Sequence, residues 1–119
     1  MITAQELHNN LFNFTGSEHY YVNYFLKYRY TEGVRYLRKQ AEAFWLLEEI
    51  NSMYVKLKEE NKADFLSIKV ISKNNKADII IDDGNNNVLK KKHISYTDLP
   101  EGTYKFYLYD NTLLLQSEY

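Results

Sequence analysis

From residue 65 onward the chain is a series of short β-prone runs divided by turn signals, and that pattern constrains the fold more than any other feature. Phe65–Ser72, Ala77–Asp82, Val88–Tyr96, Thr103–Tyr109 and Thr112–Leu115 are rich in β-branched and aromatic residues. Between them lie Asn74-Asn75, Asp83-Gly84-Asn85, Pro100-Glu101-Gly102 and Asp110-Asn111, all residues that favour tight turns. Connections this short leave no room for crossovers, so the spacing predicts an antiparallel meander of four or five strands. Thr112–Leu115 is expected to pair in a hairpin with Thr103–Tyr109, and Tyr119 to fold back against the body.

The first half reads as helical. Thr3 followed by Glu6 has the spacing of a capping box, so a helix should begin near Ala4, with Leu7, Leu11, Phe12 and Phe14 as its apolar stripe. Thr15-Gly16-Ser17 should end it and cap a second short helical turn, with Glu18 near the new N-terminus. Gly33 to about Leu57 reads as one helix without proline or internal glycine. At 100° per residue, Val34, Leu37, Ala41, Phe44 and Trp45 form one stripe, widened by Leu47, Ile50 and Tyr54. Arg35, Arg38, Glu42 and Glu49 form its wet face. Helices first and strands second is an α+β pattern: a helical part at about residues 3–60 and a sheet part at about 64–116.

At 119 residues this is one domain, able to bury roughly two-thirds of its unfolded surface. A net charge of −1 predicts neither a nucleic-acid binder nor an acidic tail. The absence of cysteine excludes disulfides, a thiolate nucleophile and a sulfur-ligated zinc site. The first residues carry no signal-peptide pattern, and no apolar run approaches the ~20 residues of a membrane helix. A cytoplasmic location is therefore expected, with no cofactor.

Between the first and the central helix lies a tyrosine-rich segment. Tyr20, Tyr21, Tyr24, Tyr28, Tyr30 and Tyr36 are interleaved with Phe25, Lys27, Arg29 and Arg35. Helical period groups Tyr20, Tyr24 and Tyr28; strand period groups Tyr24, Leu26, Tyr28 and Tyr30. A helical turn followed by a short strand is expected, with Tyr20, Tyr24 and Tyr36 at least partly in the core.

Five blocks carry a family resemblance: residues 14–21 (Phe14 to Tyr21), 30–37 (Tyr30 to Leu37), 44–48 (Phe44 to Glu48), 95–100 (Ser95 to Pro100) and 113–119 (Leu113 to Tyr119). In this order they resemble an uncharacterised bacterial and phage family, domain of unknown function 6876. Gln116 stands where proline is expected, Glu48 where aspartate is usual and Phe44 where tyrosine is common. The resemblance implies a mobile-element setting and no assigned activity.

Candidate sites compete with plainer structural roles. Glu18-His19 is the only adjacent carboxylate–imidazole pair, yet it lacks a nucleophile motif, and a helix-dipole role explains Glu18 better. His8, His19 and His93 fall in different elements, and Asp82-Asp83-Gly84-Asn85 lacks the closing acid of a calcium loop, so no metal site is expected. Glu48 projects into the middle of the apolar arc of the long helix, which makes it a candidate buried acid. Lys90-Lys91-Lys92-His93 alternates across a strand and reads as an edge guarded by charge. The candidate partner surface is Tyr21, Lys27, Tyr28, Arg29, Tyr30, Arg35 and Arg38, because tyrosine and arginine are enriched at interfaces. The expected function is a non-enzymatic protein-binding module, an anti-CRISPR-like inhibitor of a host or defence protein. The alternatives are nucleic-acid binding through residues 20–39 and a small enzyme using Glu18, His19 or Glu48. Homodimerisation is open.

Overall fold

Thr3 starts the first helix as its spacing predicts. Its Oγ1 accepts from the Glu6 amide at 3.1 Å and donates to the Glu6 carboxylate at 2.9 Å. The computed structural model describes residues 2–16 and 18–119, so the capping role expected of Ser17 lies outside the described residues. The elements run α1 (Ala4–Leu11), β1 (Tyr20–Tyr21), β2 (Arg29–Thr31), α2 (Glu32–Gln40), α3 (Phe44–Glu59), β3 (Phe65–Lys73), β4 (Lys76–Asp82), β5 (Val88–Ile94), β6 (Gly102–Tyr109) and β7 (Thr112–Leu115), then a 3₁₀ turn over Gln116–Glu118. The class is α+β, as expected.

Two helical expectations are corrected. α1 ends at Leu11, so Leu7 and Leu11 are buried while Phe12 is exposed and Phe14 half-buried. The long helix breaks in two. A continuous helix over Gly33–Leu57 would run about 37 Å, close to the molecule's longest extent of 39 Å. Instead Glu42 takes a left-handed φ of 48° and the Ala43 amide reaches back to the Arg38 carbonyl at 2.9 Å. That bond is the 6→1 closure of a helix C-terminus, formed here without glycine. The break resets the helical phase. α3 buries Leu46, Leu47, Ile50, Met53, Tyr54 and Leu57, and turns Glu48, Ser52, Lys56 and Glu59 to solvent. Glu48 is therefore exposed, not a buried acid.

The sheet is larger and differently wired than expected. Among the described residues it has seven strands in the order β1-β2-β7-β6-β3-β4-β5. All pairs are antiparallel except β2 with β7, which is parallel. β3, β4 and β5 form the expected meander, but β6 returns to the far side of β3, which is Greek-key order. The connection over residues 95–101 can span roughly 23 Å at ~3.3 Å per residue, more than the ~14 Å across three strand spacings. It is held where it crosses: the Thr97 amide donates to the Asn75 carbonyl at 2.9 Å, and Ser72 Oγ to the Leu99 carbonyl at 2.8 Å. The division into a helical and a sheet part also gives way, because β1 and β2 come from the tyrosine segment. The helical turn expected there is a two-residue strand instead.

Leu66, Ile68, Val70, Ile79, Ile81, Tyr104, Phe106 and Leu108 alternate onto the face that α3 covers, and all are buried. The β6–β7 hairpin forms as expected, with Asp110 and Asn111 at φ 51° and 53°. Its turn ties the sheet to α3 as well as to β2: Asn111 accepts from the Arg29 amide through its carbonyl at 2.8 Å and from the Tyr54 hydroxyl through Oδ1 at 2.5 Å. After β7 the 3₁₀ turn carries Glu118 into the body. Its carboxylate is buried and accepts from Thr31 Oγ1 at 2.6 Å, the Leu115 amide at 3.0 Å and the Gly33 amide at 3.2 Å. It thus sits on the first turn of α2, where negative charge is favourable. Tyr119 folds back as expected, its ring edge-on to Tyr107 at 4.9 Å and Tyr109 at 5.6 Å. No helix among the described residues is long and apolar enough to cross a membrane.

Candidate functional site

The tyrosine segment folds into two short strands around a projecting loop. β1 and β2 pair Tyr20 with Thr31 and Tyr21 with Tyr30, leaving residues 22–28 as the loop. Three anchors hold it. Asn23 Oδ1 accepts from the Phe25 amide at 2.9 Å and the Asn23 carbonyl from the Leu26 amide at 3.0 Å, an Asx-type turn. Leu26 is buried in the core. The Lys27 amide donates to Asn51 Oδ1 on α3 at 2.8 Å. With both ends fixed, the turn can only present Val22, Tyr24 and Phe25 outward. They are 81%, 95% and 72% exposed, unusually high for large apolar side chains on neighbouring residues. The Tyr24 and Phe25 rings pack edge-on at 5.7 Å, which helps fix their orientation.

The arrangement inverts part of the expected surface. Tyr28 and Tyr30 are core residues: Tyr28 turns inward at the end of the loop and Tyr30 from β2, and the Tyr28 hydroxyl donates to the Leu47 carbonyl at 2.7 Å. Burial raises the Tyr28 phenol far above its ordinary pKa, with the neighbouring Tyr30 adding to the shift. Tyr24, expected in the core, is nearly fully exposed, and Tyr20 is 47% exposed. Tyr36 is half-buried as expected, its ring 5.3 Å from Phe14 and its hydroxyl accepting from Asn10 Nδ2 at 2.7 Å. The odd positions keep their place beside the loop. Arg29 lies 4.4 Å over the Tyr20 ring and donates from Nε to Thr112 Oγ1 at 2.7 Å. Arg35 lies 4.5 Å over the half-buried Tyr21 ring and donates to its hydroxyl at 3.2 Å. Lys27 is exposed, and the half-buried Arg38 stacks 5.0 Å over Phe44. Sequence reading missed Val22 and Phe25 as surface groups. The available signal was Asn23 between apolar residues, a turn former that interrupts both candidate periods.

The other candidates do not converge. Glu18 and His19 are exposed side by side in the connection before β1, and Glu48 is exposed on α3. His8 stacks on Tyr104 at 4.5 Å with Nε2 3.0 Å from the Glu101 carbonyl, and His93 Nδ1 lies 2.8 Å from the Asp78 carboxylate. Among the described residues no group of three metal-type donors assembles. Asp83 closes its own turn: Asn87 Nδ2 donates to one carboxylate oxygen at 2.9 Å, while the Asn85 amide donates to the other at 2.8 Å. The Asn87 side-chain bond is the main reason its carboxyl lies below the ordinary carboxylate range, with the Asn85 amide next. The lysine run alternates as expected. Lys92 pairs with Glu49 at 2.5 Å and Lys90 with Glu60 at 3.9 Å on the helix side. Lys91 and His93 face the other way, opposite Ile80 and Asp78.

The described residues form, among others, two clefts. The larger, about 550 Å³, lies between α1, β6 and the 3₁₀ turn, lined by His8, Leu11, Phe12, Tyr104 and Lys105 among others. The smaller, about 130 Å³, lies beside Tyr20, Arg29 and Glu118. Neither is lined by Glu18, His19 or Glu48.

Fold and surface together define a small α+β domain that fixes an aromatic loop tip at one end of a mixed sheet. The chain belongs to the family of unknown function DUF6876, which it matches over residues 5–119. No curated protein and no solved structure matches it.

Proposed function

We propose that this protein is a non-enzymatic protein-binding module whose contact is led by Val22, Tyr24 and Phe25. The observation that carries the reading is the exposure of these three side chains on a loop anchored through Asn23, Leu26 and Lys27. Aromatic anchors dominate binding energy where they enter a partner's pocket. A loop already fixed in shape avoids most of the ordering cost of association. Tyr20, Arg29, Tyr21 and Arg35 supply an amphipathic flank of the kind found at interface rims. The target class, a host or defence protein inhibited in the manner of an anti-CRISPR factor, rests on the mobile-element setting that the family resemblance implies.

The nucleic-acid alternative draws less support. Stacking on bases needs open ring faces; Arg29 covers a face of Tyr20 and Arg35 a face of Tyr21, which leaves the loop-tip rings of Tyr24 and Phe25 as the open ones of this segment. The net charge of −1 supplies no bulk attraction to phosphate.

Affinity capture from host lysate, with and without nuclease, tests the reading, comparing the native chain with the double variant Tyr24→Ala/Phe25→Ala. The expected result is one dominant protein that survives nuclease and is lost with the variant, whose melting temperature is unchanged. Loss of two such anchors should weaken binding by roughly 30-fold or more. Capture that disappears with nuclease would overturn the protein reading. Capture indifferent to the variant would remove the loop tip from it.

A further inference from the structure

β6 is paired along its whole length with β3, from Tyr109 to Gly102, but β7 covers only Phe106–Tyr109 on its other side. The chain leaves β7's lane at Gln116, where the 3₁₀ turn is drawn away by the Glu118 carboxylate. Gly102–Lys105 is thus a strand edge inside the sheet's outline. Among the described residues no backbone hydrogen bond outside the ladders reaches it. Its residues Thr103, Tyr104 and Lys105 form one wall of the 550 Å³ cleft. Buried Leu11, Tyr104 and Leu115 make an apolar floor, and exposed Phe12 stands at the rim.

The sheet's other edges carry the usual guards against added strands: β1 is two residues long, and β5 bears Lys90, Lys91 and Lys92 in succession. β6 has neither bulge nor proline over its free stretch. The cleft is in the size range of ligand sites, and four free residues offer about 13 Å of ladder. Lys105 is its one full charge, and among the described residues it forms no ion pair.

We propose that this cleft takes an extended, acidic peptide segment of a partner protein as an added strand beside Gly102–Lys105. Main-chain bonds to the free edge supply affinity, and alternate side chains enter the apolar floor or meet Lys105, the logic of strand-addition recognition. The site shares no residue with the loop tip, so the Tyr24→Ala/Phe25→Ala variant should bind peptide unchanged.

The test is an amide-resolved NMR titration with end-capped five-residue peptides that alternate valine and threonine around a central glutamate. Two controls are used: the same peptides N-methylated at alternate amides, and the same peptides with central lysine. The expected result is shifts centred on Thr103–Lys105 and Gln116–Ser117, abolished by N-methylation. Glutamate should be preferred over lysine by about threefold, in line with an exposed ion pair, and Lys105→Glu should reverse that preference. No shifts at these amides with millimolar peptide would overturn the proposal, as would equal binding of the N-methylated peptides. If the same amides shift with protein concentration and peptide does not disperse the complex, the occupant is a second copy of this chain and the peptide reading falls.

Discussion

Replacing Gly33 with alanine would place a methyl group 2.6 Å from Oε1 of Glu118 and 2.6 Å from Cδ1 of Leu115. Helix propensity alone argues the opposite effect: alanine should gain up to ~1 kcal/mol over glycine in α2. Against that stand an overpacking cost of about 1–3 kcal/mol and the displacement of a carboxylate that accepts from Thr31, Leu115 and Gly33. A hydrogen bond to a charged acceptor contributes about 1.5–3 kcal/mol, so losing one or two outweighs the propensity gain. The net expectation is about 3 kcal/mol of destabilisation, or roughly 12 °C in melting temperature for a domain of this size. Glu118→Ala should cost a similar ~3 kcal/mol, because two amides and a hydroxyl lose a buried partner. The double variant is the decisive measurement. With Glu118 truncated, the remaining close contact is the end of the flexible Leu115 side chain, so adding Gly33→Ala should cost little more. Urea denaturation of the four proteins should therefore give a coupling energy of about 3 kcal/mol. Additive effects, or a Gly33→Ala variant as stable as the native chain, would refute the reasoning.

At the break between α2 and α3, Glu42→Gly should stabilise the protein by about 1 kcal/mol, since a left-handed φ strains any residue with a Cβ; a lower urea midpoint would contradict this. The buried tyrosines predict loss of stability in alkali. Burial raises the pKa of Tyr28 and Tyr104, and burial with the Asp110 charge raises that of Tyr54. A raised folded-state value leaves their contribution intact below the unfolded pKa of ~10 and removes it as pH climbs above it, at about 1.4 kcal/mol per pH unit for Tyr28 alone. Denaturation at a series of pH values from 8 to 11 should show that fall beginning near pH 10, and Tyr28→Phe should flatten it.

Local patterns that depend on a few neighbouring residues were legible in the chain. The Thr3–Glu6 cap, the β runs after residue 65, the Asn74-Asn75 and Asp110-Asn111 turns and the two-sided lysine run all appear where sequence places them. They rest on the backbone preferences of single residues and on the two-residue period of a strand, which neighbours alone fix. Long-range pairing decided the rest. Nothing local says that β6 should return past β4 to the far side of β3, or that Arg29–Thr31 should lie parallel to β7, because those ladders join segments far apart in the chain. The helix break at Glu42 carries no glycine signal, and it is the break that moved Glu48 from the apolar arc to solvent. Tyr24 and Tyr28 are alike in sequence, yet Leu26 and the Asn23 turn send one outward and the other against Leu47. Glu118 shows the division most plainly: its carboxylate acquires a role only when the fold brings it to Thr31 and Gly33, more than eighty positions away. Sequence determined the elements through short-range preference; tertiary structure decided which faces they share, because burial and hydrogen bonding are satisfied between segments and not within them.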